Sequence, residues 1–121
     1  MNLVVAGDYG FVCKSIDSGK TWKSISPDKT NKLPFYATAM GKDMLLAGGS
    51  GGNFWRFNEK LETWQQVVGL KKNLTIFAMY ADKEGVCVAG GGKEIGESPF
   101  LVYSSDSGLS WQYELIPQLL S

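Results

Sequence analysis

Short apolar runs alternate with glycine-rich and polar breaks along the whole chain, and no stretch of ten or more residues has helical periodicity. The runs are rich in β-branched and aromatic residues, as strands are. They fall into three types that return in a fixed order: FYATAM (35–40) and IFAMYA (76–81); LVVAG (3–7), LLAGG (45–49) and VCVAGG (86–91); FVCKS (11–15), NFWRF (53–57) and FLVYSS (100–105). The pattern predicts a β-protein of short strands joined by tight turns.

A short motif follows each run of the third type. Residues 15–22 read SIDSGKTW (box 1) and residues 104–111 read SSDSGLSW (box 3), whereas residues 57–64, FNEKLETW (the second-blade turn), keep only the closing Thr-Trp. The three tryptophans are 42 and 47 residues apart, which is close to the length of a four-stranded propeller blade. The repeat therefore predicts consecutive blades, with the fourth strand of each beginning at its tryptophan.

The motif S-x-D-x-G-x-T-W resembles the Asp box of sialidases, sortilin-like receptors, photosystem assembly factors and other β-propellers. With the flanking strands, the resemblance covers essentially the whole chain. In that family the box closes the hairpin between strands 3 and 4 and is structural. The residues that carry the resemblance are Ser15, Asp17, Gly19, Thr21, Trp22, Thr63, Trp64, Ser104, Asp106, Gly108, Ser110 and Trp111.

These residue types suit a tight turn on physical grounds. An aspartate accepts hydrogen bonds from nearby backbone N–H groups, and a glycine adopts a backbone conformation that a side chain resists. A tryptophan buries its ring against the turn and offers an N–H. In the second-blade turn, Glu59 and Leu61 replace the aspartate and the glycine, so we expect different hydrogen bonds there.

The predicted fold is all-β: a partial β-propeller of about three four-stranded antiparallel blades, forming one segment over residues 1–121. We place the blades at about 1–28, 33–70 and 74–121, about eleven strands in all, with the first blade lacking its inner strand. Closed propellers have about four to eight blades, and open blade faces invite association. We therefore expect a protein partner, a longer propeller or self-association to complete the ring.

Composition narrows the function. Lys and Arg together number 12, as do Asp and Glu, so net charge gives no case for a nucleic-acid partner or an anionic membrane. We expect no membrane insertion and no signal peptide, because no apolar stretch is long enough. With no histidine, histidine triads and histidine-ligated metal sites are absent. Arg56 is the single arginine, whereas the sialidases grip their substrate carboxylate with three. We expect no catalytic, metal or cofactor site.

The loops between strands 2 and 3 are the candidate binding face, because a meander places them opposite the boxes. The candidate residues on these loops are Asp8, Tyr9, Asn53, Lys93, Glu94 and Glu97. The last three belong to the longest such loop, 91–98, and length beyond what a hairpin needs is often functional.

Three functions are compatible with these features. A non-catalytic binding or assembly scaffold for a protein partner is the first hypothesis, since a propeller offers a rigid face with variable loops. A glycan-binding lectin built by oligomerisation is the alternative, with Tyr9 beside Asp8 or Trp55 beside Asn53 as the stacking ring. An inactive or partial sialidase-like glycosidase is the third.

Overall fold

The structure is a computed structural model that describes residues 1–27, 32–68, 74–92 and 99–115. Eleven strands lie within these residues, and the predicted all-β class is confirmed. Their bounds are β1 Leu3–Ala6, β2 Val12–Ser15, β3 Lys23–Ser24, β4 Phe35–Gly41, β5 Met44–Gly49, β6 Phe54–Asn58, β7 Thr63–Gln66, β8 Thr75–Ala81, β9 Cys87–Gly92, β10 Phe100–Ser104 and β11 Gln112–Leu115.

The strands form three antiparallel sheets, each a meander of neighbours in sequence. Blade 1 has the order β1-β2-β3, blade 2 the order β4-β5-β6-β7, and blade 3 the order β8-β9-β10-β11. Blade 1 has three strands and the other two have four, as the phase of the repeat predicts. Because successive strands pair, every blade is built from contacts that are local in the chain.

The inner strands of blades 2 and 3 share a β-bulge near their first residue. The register of β4 against β5 shifts between Phe35 and Ala37, and that of β8 against β9 shifts between Ile76 and Ala78. The extra residues, Tyr36 and Phe77, stack their rings with centroids 5.4 Å apart. The bulge thus places an exposed aromatic ring at the same position of two adjacent blades.

The apolar core lies between the blades. Interface 1–2 buries Val12, Phe35 and Ala47, against which Val4 and Trp64 pack. Interface 2–3 is larger, and its fully buried members include Met44, Leu46, Phe54, Ile76, Phe100 and Val102. Every residue of β5 is buried because blade 2 is covered on both faces. The blades therefore stabilise one another by face-to-face packing, as repeat arrays do.

Backbone hydrogen bonds tie the β1–β2 loop of blade 1 and the β5–β6 loop of blade 2 to the next blade. The N–H of Phe35 donates to the carbonyl of Gly7 at 3.0 Å, and the N–H of Gly52 donates to the carbonyl of Leu74 at 2.7 Å. At the opposite face, the β6–β7 and β10–β11 turns are bonded to the β4–β5 and β8–β9 turns of their own blades, for example from the Ser107 N–H to the Gly85 carbonyl at 2.9 Å. Both loop faces are thereby held in a fixed relation to the sheets.

One sequence expectation is wrong in detail. The last strands of blades 1 and 3, β3 and β11, begin at Lys23 and Gln112, one residue after the expected tryptophan, whereas β7 begins at Thr63, one residue before it. In boxes 1 and 3 the tryptophan belongs to the turn, because its indole N–H donates to the carbonyl of the turn glycine.

The described part of the chain contains no helix of the length and apolarity needed to cross a membrane.

Candidate functional site

Boxes 1 and 3 are closed by the same set of hydrogen bonds. In box 1 the Ser15 hydroxyl donates to Asp17 at 2.8 Å and accepts the Gly19 N–H at 2.9 Å. Asp17 also accepts the backbone N–H and the hydroxyl of Thr21. In box 3, Ser104, Asp106, Gly108 and Ser110 repeat these contacts one for one. The two turns are therefore rigid, with their carboxylates occupied by the turn itself.

The hydrogen bonds also fix the charge of both aspartates. The hydroxyl and the N–H of Thr21, with the Ser15 hydroxyl, lower the pKa of Asp17 from 3.8 to about 2. The hydroxyls of Ser104 and Ser110 lower the pKa of Asp106 further below its ordinary value. Because hydrogen bonds to a carboxylate favour its charged form, neither aspartate holds a proton to donate near neutral pH.

The box tryptophans seal their own turns. The indole N–H of Trp22 donates to the Gly19 carbonyl at 3.1 Å, and that of Trp111 donates to the Gly108 carbonyl at 2.9 Å. Trp111 also packs edge-on against Phe54 of blade 2, with ring centroids 4.9 Å apart. Trp22 has no described blade before it and is 45% exposed.

The second-blade turn is built differently, as its sequence predicts. Asn58 replaces the box aspartate as the acceptor, taking the N–H groups of Lys60 and Leu61 at 3.0 and 3.1 Å. Trp64 has no turn glycine to bond, and its indole N–H instead donates to the carbonyl of Ile25 in blade 1. This turn therefore joins two blades, whereas each box closes within one.

The loop-face candidates differ in their exposure. Asp8 is exposed and Tyr9 is 76% exposed, so both stand at the surface. Asn53 is 3% exposed. Its amide donates to the carbonyls of Leu33 and Pro34 at 3.2 and 3.3 Å and accepts the Trp55 indole N–H at 2.8 Å. The expectation that Asn53 presents itself to a ligand is thus wrong, because the side chain is used inside the loop.

Two further expectations concern neighbouring residues. The ring of Trp55 packs against the apolar core of interface 1–2, and its indole N–H donates to the Asn53 amide oxygen. Lys93, Glu94 and Glu97 lie outside the described residues.

A groove of about 620 Å³ runs along the outer side of interface 1–2. Its lining residues are Tyr9, Phe11, Lys23, Ser24, Ile25, Ser26, Phe57, Glu62 and Trp64. Phe57 lies in the floor, with its ring centroid 4.9 Å from that of Trp64, and Tyr9 and Phe11 stand at the loop-face end. An ion pair joins Lys23 and Glu62 on the rim at 3.9 Å. The groove combines an aromatic floor with a polar, electrically balanced rim.

The repeat supplies an internal comparison for this groove. A pocket at the matching place of interface 2–3 has a volume of only about 120 Å³. It is lined by Gln65, Gln66, Val67 and Val68, which follow Trp64 as Lys23 to Ser26 follow Trp22. The wide groove is therefore a property of interface 1–2 and is not common to both blade pairs.

Sequence reasoning missed Phe11 and Phe57. The signal for Phe57 was present, because it occupies the box position that Ser15 and Ser104 fill elsewhere. Ser15 and Ser104 use this position for a hydroxyl that is hydrogen-bonded within the turn, so an aromatic ring there indicates that this turn has a different role. The described residues hold no group of three His, Cys, Asp or Glu side chains that could bind a metal ion.

The three sheets define the class of protein as a partial β-propeller of three blades. No protein-family model and no curated protein matches the chain. Solved structures do. A structure of YCF48 bound to a D1 peptide matches with a TM-score of 0.69 at 16% identity, covering 91% of this chain and 34% of that one.

A GH74 xyloglucanase from Xanthomonas campestris matches with a TM-score of 0.60 at 21% identity. That match covers 84% of this chain and 17% of the enzyme. The chain thus spans about a third of one neighbour and about a sixth of the other. At these identities the likeness establishes the propeller fold.

Proposed function

We propose that this chain is a non-catalytic β-propeller scaffold that binds a protein partner. The observation that carries the proposal is the groove at interface 1–2, where aromatic rings line a cleft of about 620 Å³. Concave sites of this size that combine apolar side chains with polar groups are typical of binding sites. The structural neighbour bound to a peptide supports a peptide as the occupant, since it is a propeller of the same blade architecture.

The absence of turnover is also part of the proposal. Asp17 and Asp106 are held ionised by their turns, so neither is suited to act as a general acid. The Nε–H of Arg56 donates to the Ser107 carbonyl at 2.8 Å, which gives this arginine a role between blades 2 and 3. These contacts favour the scaffold over a partial sialidase-like glycosidase. We further propose that boxes 1 and 3 are Asp boxes, because their hydrogen bonds account for each residue of the motif.

Self-association is the second candidate, favoured by two open faces. Val5 and Trp22 on blade 1 point away from interface 1–2. On blade 3, Tyr80, Val86 and Tyr103 point away from interface 2–3, and all five side chains are exposed. Size-exclusion chromatography with light scattering tests this idea. A dimer or another closed oligomer would support it, and a monomer at micromolar concentration would reject it.

The groove is tested with one substitution and its repeat equivalent. Ser24 is exposed in the groove, two residues after Trp22, and Gln66 is exposed two residues after Trp64. Ser24→Arg places a long cation in the wide groove, whereas Gln66→Arg places the same side chain beside the narrow pocket. Both variants should fold, because both positions are at the surface.

The binding measurement pans the immobilised chain against a phage-displayed library of random peptides and, in parallel, against a glycan array. We expect peptides that bind the wild type and Gln66→Arg equally and Ser24→Arg at least tenfold more weakly. Glycan binding without peptide binding would replace the scaffold by the lectin alternative, for which Tyr9 beside Asp8 is the remaining candidate. Peptides that bind Ser24→Arg as well as wild type would exclude the groove.

A further inference from the structure

The β1–β2 loop of blade 1 and the β5–β6 loop of blade 2 have the same backbone conformation. Gly7 and Gly49 open them with φ of −170° and −168°. In both loops the opening glycine N–H donates to the carbonyl four residues on, from Gly7 to Phe11 at 3.2 Å and from Gly49 to Asn53 at 2.8 Å. The two loops are therefore structurally equivalent, and their residues can be compared position by position.

The copies differ at their third residue. Tyr9 has φ 59° and ψ 21°, and Gly51 has φ 62° and ψ 37°. This left-handed conformation is natural for glycine and unfavourable for a residue with a Cβ, most of all a bulky one. Five non-glycine residues in the described part of the chain have positive φ, and Tyr9 is the aromatic one. Blade 1 thus keeps a tyrosine where blade 2 uses the residue that suits the turn.

Nothing in the packing of the fold explains the tyrosine. Its side chain is 76% exposed, so it contributes little buried area. At Gly51, an added Cβ would meet no atom of the described residues within 4 Å, so the described part of the fold leaves room for a side chain at this position too. Conformational strain retained at an exposed residue points to a use outside folding.

The position of the ring indicates that use. Tyr9 and Phe11 form the loop-face end of the groove, and Phe57 and Trp64 continue the aromatic lining beyond them. Among the described residues of the lining, the charged groups are the paired Lys23 and Glu62, which together offer an acidic or a basic peptide no net charge. A neutral, extended occupant with flat apolar side chains fits this surface.

We propose that Tyr9 is the anchor residue of the groove and that the occupant is a neutral, proline-rich extended segment of the partner. Proline rings pack on aromatic faces, and a polyproline II segment is already extended and so loses little entropy on binding. This assignment rests on the proposed scaffold function and specifies the partner's chemistry.

Two variants separate the anchor from a structural role. Tyr9→Gly restores the residue that blade 2 uses, and Tyr9→Phe keeps the ring. The probe is a fluorescein-labelled proline decamer, with a Gly-Ser decamer of the same length as its control, and anisotropy gives the dissociation constants. We expect the proline decamer to bind wild type and Tyr9→Phe, and Tyr9→Gly at least tenfold more weakly. The melting temperature of Tyr9→Gly should be equal to that of wild type or up to about 5 °C higher.

Each contrary result has its own meaning. If Tyr9→Gly binds the decamer as wild type does, or melts well below wild type, Tyr9 is not the anchor. If the proline decamer fails to bind while library peptides bind and are lost in Ser24→Arg, the scaffold proposal stands and the proline assignment is wrong. If library peptides also fail to bind, the scaffold proposal itself is rejected.

Discussion

The indole N–H of Trp64 donates to the carbonyl of Ile25, across the boundary between blades 1 and 2. The equivalent tryptophans of boxes 1 and 3 instead bond a glycine carbonyl of their own turn. Loss of the box glycine in blade 2, where Leu61 stands, thus goes with a bond that holds two blades together. The decayed copy of the motif has a contact that the intact copies lack.

Substitution of Trp64 should reveal this bond. Trp64→Phe keeps an aromatic ring and removes the donor, and we expect it to lower the free energy of unfolding by about 1 kcal/mol or somewhat more, the range for a lost hydrogen bond. Trp22→Phe is the matched control, because Trp22 is half exposed and bonds within its own turn. Urea denaturation measures both, and equal losses would show that the inter-blade bond has no special weight.

Acid should weaken both boxes. The pKa of Asp17 is about 2 in the folded chain against an ordinary value of 3.8, and that of Asp106 is also lowered. The stability these carboxylates contribute is therefore fully present above pH 3.8 and is lost as the pH falls toward 2 and below. The melting temperature should drop across this range. The double variant Asp17→Asn, Asp106→Asn should melt lower at pH 7 and show a shallower acid slope; an unchanged slope would contradict the assignment.

Two adjacent glycines in β9 should differ sharply in how much stability is lost when alanine replaces them. A Cβ on Gly91 would lie 2.0 Å from the Thr75 carbonyl oxygen, which is backbone of the neighbouring strand and cannot move aside. A Cβ on Gly92 would meet no atom of the described residues within 4 Å. We expect Gly91→Ala to cost about 2 kcal/mol or more and Gly92→Ala about 0.5 kcal/mol or less. Similar losses in thermal denaturation would mean that β8 and β9 are not so closely apposed.

Arg56 and Lys14 occupy the same repeat position and each reaches the following blade. The Nε–H of Arg56 donates to the Ser107 carbonyl at 2.8 Å, and the Lys14 ammonium lies 3.4 Å from a carboxylate oxygen of Glu59. Arg56→Met, which keeps an apolar stem, should lower the free energy of unfolding by about 1.5 kcal/mol. Lys14→Met should cost less than about 1 kcal/mol, and added salt should reduce that difference. A larger loss for Lys14→Met would reverse the ranking.

The sequence predicts the blades well because their determinants are local. The box residues bond one another within a few positions, and the strands pair with their neighbours in the chain. The same reasoning failed for Asn53, whose amide bonds carbonyls at Leu33 and Pro34 that only the folded linker brings near. It also missed the groove, because Phe57 and Phe11 line one groove only when two blades pack. Residues acting across a blade boundary leave little trace in a local pattern.

The complete burial of β5 has a consequence for how the array opens. In a chain of blades that contact only their neighbours, the terminal blades have one covered face and can loosen singly. β5 is packed on both faces, so it keeps one covered face after either neighbouring blade has loosened. Transferred to heavy water, the amides of β5 should therefore exchange last, and protection should decay outward in both directions along the chain. In this 121-residue chain, unfolding would then begin in blades 1 and 3 and reach blade 2 last.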